Sequence, residues 1–177
     1  LHYLLMEQEN RFPDALVMTS GNLSEEPIAI DNEDAFRRLS AIADYFLVHN
    51  RDIYLRSDDS IIRCTAGETR LIRRSRGFVP VPIFLRRKVP AVLACGAELK
   101  NTICLIRGNQ AFLSQHIGDL ENTATEDFFR LTSRHMQRIL KIEPELLAYD
   151  LHPDYLATRY ALARAEQEGR RACPHRG

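Results

Sequence analysis

Short apolar stretches separated by turn-forming residues occupy the first part of the chain. Five of them lie at 15–19, 45–48, 53–55, 60–64 and 70–73. Short apolar runs bounded by Pro, Gly, Ser, Asn or Asp are typical of strands. The pattern therefore predicts a strand-rich region before residue 80.

A helical spacing of apolar residues interrupts these strands at 31–43. Asp31 is a suitable N-cap because its side chain can accept a hydrogen bond from a free backbone N–H group of the first turn. Acidic residues follow it, and they complement the positive end of the helix dipole. The first residues, 1–9, could be the end of another helix.

A proline-rich stretch at 77–90 marks a change in the chain, since it contains three prolines and the basic triplet Arg86-Arg87-Lys88. Proline removes a backbone donor and disfavours both helix and central strand. We therefore predict an extended linker at 83–90, with one domain at 1–82 and another at 91–177.

The second region combines strand and helix patterns. A strand is predicted at 91–95, followed by a hairpin of strands at 102–107 and 111–115 around Gly108-Asn109-Gln110. A helix is predicted at 123–141, where Thr123 and Glu126 form a capping box, and a strand at 146–149. A last helix is predicted from Pro153 to about residue 168, with Gly169 at its end. This order predicts a fold of the α/β (α+β) class.

Composition narrows the class of protein further. The net charge is zero, so the chain as a whole is not attracted to nucleic acid or to membranes. No apolar run is long enough for a membrane span. The four cysteines form no CxxC pair, which favours a reducing compartment and core positions over disulfides or a metal site. We expect a cytoplasmic protein, and both chain ends look like cuts within a longer one.

The stretch VMTSGNLSEEPI at 17–28 is the first candidate for chemistry. Thr19, Ser20 and Asn22 follow a predicted strand, and hydroxyl and amide groups on such a loop can bind phosphate or carboxylate oxygens. An ordinary tight turn stabilised by Asn22 explains the same residues.

Arginines are concentrated at 70–76, where Arg70, Arg73, Arg74 and Arg76 occur within seven residues. Guanidinium groups match phosphate geometry with two parallel hydrogen bonds. The cluster is compatible with a nucleotide phosphate site, a nucleic-acid patch or a solvated strand. The acidic pair Asp58-Asp59 before a predicted strand could hold a cation or orient a substrate, but we favour an ordinary polar turn.

Polar residues also follow the predicted strands of the second region. Gly96, Lys100, Asn101 and Thr102 form a turn that either faces a phosphate or is a charged hairpin tip. Ligands of open α/β sheets gather at the carboxyl ends of strands. Four further candidates lie at predicted strand ends: His116, Asp119, Asp150 and His152.

Seven strings, in order along nearly the whole chain, resemble one family. They are VMTSGNLSEEPIA, FLVHNRDI, RSDDSIIR, IRRSRGFVP, ACGAELKNTICL, FLSQHIGDLEN and DLHPDY. Each string is weak alone, but together they resemble the HypF carbamoyltransferases of hydrogenase maturation.

The resemblance implies two partial domains. Residues 1–82 are similar to the C-terminal portion of a YrdC-like domain, a twisted α/β sheet that forms acyl-adenylates. Residues 91–177 are similar to the start of a transferase domain of the actin-like ATPase superfamily. The family's nucleotide contacts then map onto Thr19, Ser20, Asn22, Ser60 and one or more of Arg73, Arg74 and Arg76. Lys100 and Asn101 become catalytic candidates, with Gly96 and Thr102 in the same phosphate-facing turn.

The resemblance also implies an activity. Carbamoyl phosphate and ATP, with Mg²⁺, give carbamoyl-adenylate, and the carbamoyl group passes to the C-terminal cysteine of the partner HypE. We expect the zinc or iron of the family only in regions that this chain lacks, and therefore no metal ligands and little catalysis from the chain alone. We also expect its strand edges to pair or aggregate. The alternatives are a double-stranded RNA-binding module and a structural segment that docks a partner.

Overall fold

A computed structural model of the chain describes residues 3, 6, 15–24 and 26–175. The elements in chain order are α1 (Asn32–Leu39), β1 (Ile61–Thr65), β2 (Glu68–Arg73), β3 (Ile83–Cys95), β4 (Ile103–Leu113), α2 (Thr123–Leu140), β5 (Leu146–Asp150), α3 (Leu156–Glu168) and β6 (Arg171–His175). Tyr3 and Met6 are helical, and the rest of the helix predicted at 1–9 lies outside the described residues.

A mixed four-stranded sheet forms the centre of the second region. Its strand order is β4-β3-β5-β6. β3 pairs antiparallel with β4 and parallel with β5, which in turn pairs parallel with β6. Helices α2 and α3 supply the connections around the parallel strands, so the predicted α/β (α+β) class is confirmed. No helix in the described ranges has both the length and the apolar character needed to cross a membrane.

The hydrophobic core lies between this sheet and its helices. Leu93, Leu105 and Leu147 on the strands are fully buried. They form one cluster with Phe129 of α2 and Ala161 of α3. The small alanines of α3 allow the helix backbone to approach the sheet closely, and the large aromatic side chains of α2 fill the remaining space.

The first region contains little buried apolar surface. Helix α1 begins as predicted, because the Asp31 carboxylate accepts a hydrogen bond from the Asp34 N–H group at 2.9 Å. Strands β1 and β2 form a hairpin whose turn residues, Ala66 and Gly67, both have positive φ. That backbone suits the right-handed twist of two paired strands.

Three predicted strands do not form. Residues 15–19, 45–48 and 53–55 have no strand assignment. Val17 is 101% exposed and Leu47 is 98% exposed. A strand needs a neighbour for its backbone N–H and C=O groups, and apolar composition alone does not provide one.

The linker prediction is also corrected, whereas the predicted reversal at Gly108 is present. Residues 83–90, expected as a linker, are the first half of β3 and pair with β4. Pro90 is accommodated because it lies in the interval between Val89 and Val92, where the register shifts. Element β4 spans the predicted hairpin, and the chain reverses at Gly108 as predicted: Gly108 has a positive φ, and the Ser114 N–H group donates to the Ile103 carbonyl at 2.8 Å. The division of the chain into domains stays a prediction.

The helix ends differ from prediction by a few residues. Asn122, not Thr123, caps α2, and its side chain accepts from the Thr125 N–H group at 2.9 Å. Helix α3 begins at Leu156, beyond Pro153. Gly169 ends α3 in the left-handed conformation, as predicted. Of the cysteines, Cys95 is buried, whereas Cys64 and Cys173 are exposed and so do not occupy the expected core positions.

Truncation of the central strand tests this core. We expect Leu93→Ala to lower the free energy of unfolding by about 2–5 kcal/mol, because it removes a fully buried side chain and leaves a cavity. Urea unfolding followed by circular dichroism measures the change. The matched control is Leu162→Ala, at a 44% exposed position of α3, with an expected change of about 0.5 kcal/mol. Equal losses in the two variants would contradict the proposed core.

Candidate functional site

A cavity of about 330 Å³ opens where the first and second regions meet. From the first region it is lined by Ser20, Asn22, Glu26, Pro27, Ile28, Asp58 and Arg73, and from the second by Lys100, His116, Ile117, Gly118, Asp119 and Thr125. The cavity therefore unites candidates that the sequence placed in two separate domains. We call it the seam cavity.

The loop after residue 19 holds its shape through its own hydrogen bonds. The Asn22 side-chain amide donates to the carbonyl oxygens of Leu23 at 2.8 Å and Glu26 at 3.0 Å. The Ala29 N–H group donates to the Gly21 carbonyl at 2.9 Å. Asn22 thus stabilises a tight turn, which is the alternative interpretation of this stretch, and it also lines the seam cavity. Ser20 lines the cavity as well, whereas Thr19 does not.

The end of β2 brings a cation to the cavity. Arg73 lies 3.7 Å from the Asp58 carboxylate, measured between Nη1 and Oδ2. Ser60 fixes the segment that follows: its hydroxyl donates to the Arg76 carbonyl and accepts from the Ser75 N–H group, both at 2.8 Å. Ser60 does not line the cavity and instead holds the chain that carries Arg73.

On the opposite side, backbone hydrogen bonds join the turn at 96–101 to the loop at 114–120. The Asn101 N–H group donates to Gly118 O and the Ile117 N–H group donates to Asn101 O, both at 2.9 Å. The Lys100 N–H group donates to Asp119 Oδ1 at 2.5 Å. Lys100 has a φ of 51°, a left-handed backbone that is uncommon for a residue other than glycine.

Asn101 is buried beneath this turn rather than exposed in the cavity. It is 1% exposed, and its side-chain amide donates to the Ala97 carbonyl at 2.6 Å. Gly96 is needed at the start of the turn, since a Cβ there would lie 2.5 Å from the Thr102 carbonyl oxygen. Both residues shape the turn that carries Lys100.

His116 connects the two regions through its backbone, because its N–H group donates to the Arg74 carbonyl at 3.2 Å. The neighbouring Gln115 side-chain amide donates to the Arg56 carbonyl. Burial, reinforced by the Arg73 guanidinium, lowers the pKa of the His116 imidazole, although the Asp58 and Asp119 carboxylates oppose this shift. His116 is therefore neutral at neutral pH.

The seam cavity contains both cations and carboxylates. Glu26 is paired with Arg38 at 2.6 Å, and Asp58 lies near Arg73. Lys100 forms no ion pair with any of the described residues, so its charge is available to a ligand. Two cations with nearby hydroxyl and amide groups suit a ligand that carries phosphate oxygens.

The remaining predicted residues lie outside the seam cavity. Arg74 donates to the carbonyls of Phe78 and Val81, and Arg76 donates to that of Ser57. Thr102 lines a second cavity with Cys95 and His175.

At the end of β5, the Asp150 carboxylate accepts from the His152 N–H group at 2.8 Å. The His152 ring stacks on Tyr155 with the ring centroids 4.4 Å apart. These contacts are local, and the functional roles assigned to the residues outside the cavity stay predictions.

The structure adds residues that the sequence did not select. Glu26, Asp58 and Thr125 line the seam cavity. Asp58 has a detectable signal, because it belongs to an acidic pair just before a strand, but such a pair is more often an ordinary polar turn. Thr125 belongs to the first turn of α2, where a threonine is ordinary.

Two family models match the chain. The model described as the HypF Kae1-like domain matches residues 87–174, and the Sua5/YciO/YrdC model, described as telomere recombination, matches residues 1–75. The carbamoyltransferase HypF2 of Cupriavidus necator is 45% identical over 96% of the chain and 23% of its own length. The carbamoyltransferase HypF of Rhizobium leguminosarum bv. viciae is 48% identical over 91% of the chain and 22% of its own length.

A solved structure agrees with these relatives. A full-length HypF crystallised in the phosphate- and nucleotide-bound form superposes with a TM-score of 0.87 at 44% identity, covering 98% of this chain and 27% of that one. The chain thus spans about a quarter of the length of these relatives.

A pair of glycine substitutions tests the turn at 96–101. We expect Gly96→Ala to cost about 1–3 kcal/mol, because the new Cβ would collide with the Thr102 backbone carbonyl. The control is Gly21→Ala, whose Cβ would meet only the Leu39 side chain at an ordinary 3.7 Å. Urea unfolding compares the two. A tolerated Gly96→Ala would show that the turn is looser than described.

The lowered pKa of His116 predicts a pH dependence of stability. As the pH falls through about 6.5 towards the lowered pKa, the unfolded chain binds a proton that the folded chain does not. The free energy of unfolding therefore decreases on acidification in this window, and it is unaffected by this group above the window. We expect His116→Gln to lose less stability than the wild type between pH 7.5 and pH 5.5, about one unit either side of that reference pKa. Parallel losses would show that burial does not perturb this histidine.

Proposed function

Because the chain belongs to the HypF family, we propose that it takes part in ATP-dependent carbamoyl transfer and that the seam cavity binds the nucleotide phosphates. Hydrolysis of carbamoyl phosphate gives carbamate and inorganic phosphate, and ATP then activates the carbamate as carbamoyl-adenylate. The carbamoyl group then passes to the C-terminal cysteine of HypE for the cyanide ligand of nickel–iron hydrogenase.

One observation carries the proposal: Ser20 and Arg73 from the first region and Lys100 from the second line the same cavity. Three separate sequence patterns select these residues: the polar loop at 17–28 selects Ser20, the arginine cluster at 70–76 selects Arg73, and the turn at 96–102 selects Lys100. The nucleotide- and phosphate-bound state of the related HypF structure supports the same kind of ligand. ATP would enter with Mg²⁺, which offsets part of the phosphate charge.

The formation of carbamoyl-adenylate requires positive charge near the phosphates, which Arg73 and Lys100 can provide. A carbamate oxygen attacks the α-phosphorus of ATP, the bond to pyrophosphate breaks, and pyrophosphate leaves. Negative charge builds on the phosphate oxygens in this step. Arg73 and Lys100, fixed by Asp58 and by the turn at 96–101, would stabilise that charge with little reorganisation.

The surroundings of the arginine cluster at 70–76 support nucleotide binding by an enzyme over the RNA-binding alternative. Arg74 of the arginine cluster is already occupied by the Phe78 and Val81 carbonyls. Arg73 lines a cavity rather than an open face. We also propose a cytoplasmic location, which the four unpaired cysteines support.

Nucleotide affinity tests the proposal. We expect Arg73→Gln to weaken ATP–Mg²⁺ binding about 10- to 100-fold, because it removes a charged hydrogen-bond donor. We expect Ser20→Ala to weaken it about 3- to 10-fold, as for a neutral hydrogen bond. Isothermal titration calorimetry on the purified protein measures both.

Matched controls come from the same segments. Arg70→Gln, the control for Arg73, changes an exposed arginine of β2. Ser24→Ala, the control for Ser20, changes an exposed serine of the loop that contains Ser20. Neither Arg70 nor Ser24 lines the cavity. Both should bind ATP like the wild type. Unchanged affinity in Arg73→Gln and Ser20→Ala would place the nucleotide elsewhere. Salt-sensitive RNA binding that ATP does not affect would favour the RNA-binding alternative.

A further inference from the structure

His116 is a titratable group to which adenylate formation gives no task. Its side chain lines the seam cavity together with Ser20 and Arg73 of one region and Lys100 of the other. Its backbone is fixed by the bond from its N–H group to Arg74 O. A ligand bound in the seam cavity would therefore meet His116 together with residues of both regions.

The second step of the proposed reaction does need a proton acceptor. The attacking sulfur reacts as thiolate, and an unperturbed cysteine thiol with a pKa near 8.5 is mostly protonated at neutral pH. A neutral imidazole next to the reacting carbonyl can remove that proton as the bond forms. The described residues of the cavity offer His116 as the only imidazole.

We propose that His116 accepts the proton of the acceptor thiol during carbamoyl transfer, an inference that rests on the proposed function. The sulfur–carbon bond forms, the carbon–oxygen bond to the adenylate phosphate breaks, and AMP leaves as the anion. The thiol proton moves to the free imidazole nitrogen of His116 and is later released to water.

The charges around the imidazole suit this role from each side. Burial disfavours the protonated ring most, and Arg73 of β2 and Lys100 of the 96–101 turn add to this effect, so the neutral ring is favoured before reaction. Asp58 and Asp119 favour the imidazolium once it forms. Glu26 also lines the cavity, but it is paired with Arg38. The cations therefore favour the neutral ring before the proton is transferred, and the carboxylates stabilise the imidazolium afterwards.

A second histidine provides the matched control. Burial also lowers the pKa of His135, aided by Arg138. His135 lies on α2 with its ring centroid 5.1 Å from that of Tyr54, and it lines a separate small cavity. It shares the chemistry of His116 but not its position.

The experiment measures the two steps separately in a full-length protein that contains this chain, because the chain alone is expected to show little catalysis. Pyrophosphate release from ATP with carbamoyl phosphate reports adenylate formation, and carbamoylation of a synthetic peptide ending in cysteine reports transfer. We expect His116→Gln to slow transfer about 100-fold more than it slows pyrophosphate release. His135→Gln should slow neither step. Urea unfolding confirms that each variant is folded.

The pH profile and a rescue distinguish proton transfer from a structural role. In the wild type, transfer should already be level at neutral pH, whereas in His116→Gln it should rise with the thiolate fraction up to a pH of about 8.5. Added imidazole should restore transfer in His116→Ala. Equal losses in both steps, an unchanged pH profile and no rescue would overturn the role of His116 and leave the proposed function standing. Absence of adenylate formation in the wild type would overturn both.

Discussion

The pairing between the turn at 96–101 and the loop at 114–120 is the contact on which the candidate site depends. Element β4 begins beside the end of β3, where Ile103 pairs with Cys95, and it ends at the same place, because the Ser114 N–H group donates to the Ile103 carbonyl at 2.8 Å. The turn after β3 and the loop after β4 therefore lie at one end of the sheet. Reciprocal backbone bonds between Asn101 and the Ile117–Gly118 segment then fix their separation. Lys100 and His116 are held in place because they are neighbours of these bonded groups.

A polar and aromatic interface joins this rigid platform to the first region. Gln115 and His116 donate to backbone carbonyls of Arg56 and Arg74. Arg56 lies over the Phe128 ring with its guanidinium carbon 5.4 Å from the ring centroid, and Arg138 donates to the Tyr54 hydroxyl at 2.9 Å. Interfaces of this kind are weaker than a continuous hydrophobic core. The seam cavity thus lies between a well-packed half and a half that is attached through a few directional contacts.

This arrangement explains why the same few residues carry both structural and chemical tasks. Asp119 accepts the Lys100 backbone bond while its carboxylate also acts on the His116 imidazole. Asp58 likewise lies near Arg73 and influences the same ring. Because two carboxylates and two cations act on one imidazole, a change at any of them alters the protonation of His116 and the electrostatics that a phosphate would meet.

The sequence by itself determined the local features. Asp31 as an N-cap, Gly169 as a helix end and the apolar strands at 91–95 and 146–149 depend on neighbouring residues, and the structure shows each of them. The residues Ser20, Arg73, Lys100 and His116 could also be selected from their chemistry and their positions after predicted strands.

Only the tertiary structure decided which of those candidates meet. Thr19, Arg74 and Asn101 do not line the cavity although a neighbour of each does: Arg74 donates to the Phe78 carbonyl, and Asn101 is buried beneath its turn. The same holds for the apolar stretches at 15–19 and 45–48, which pair with no strand among the residues that the structure describes. Hydrogen-bond partners and cavity walls come from residues distant in sequence, and a local pattern contains no information about which distant segment will lie opposite.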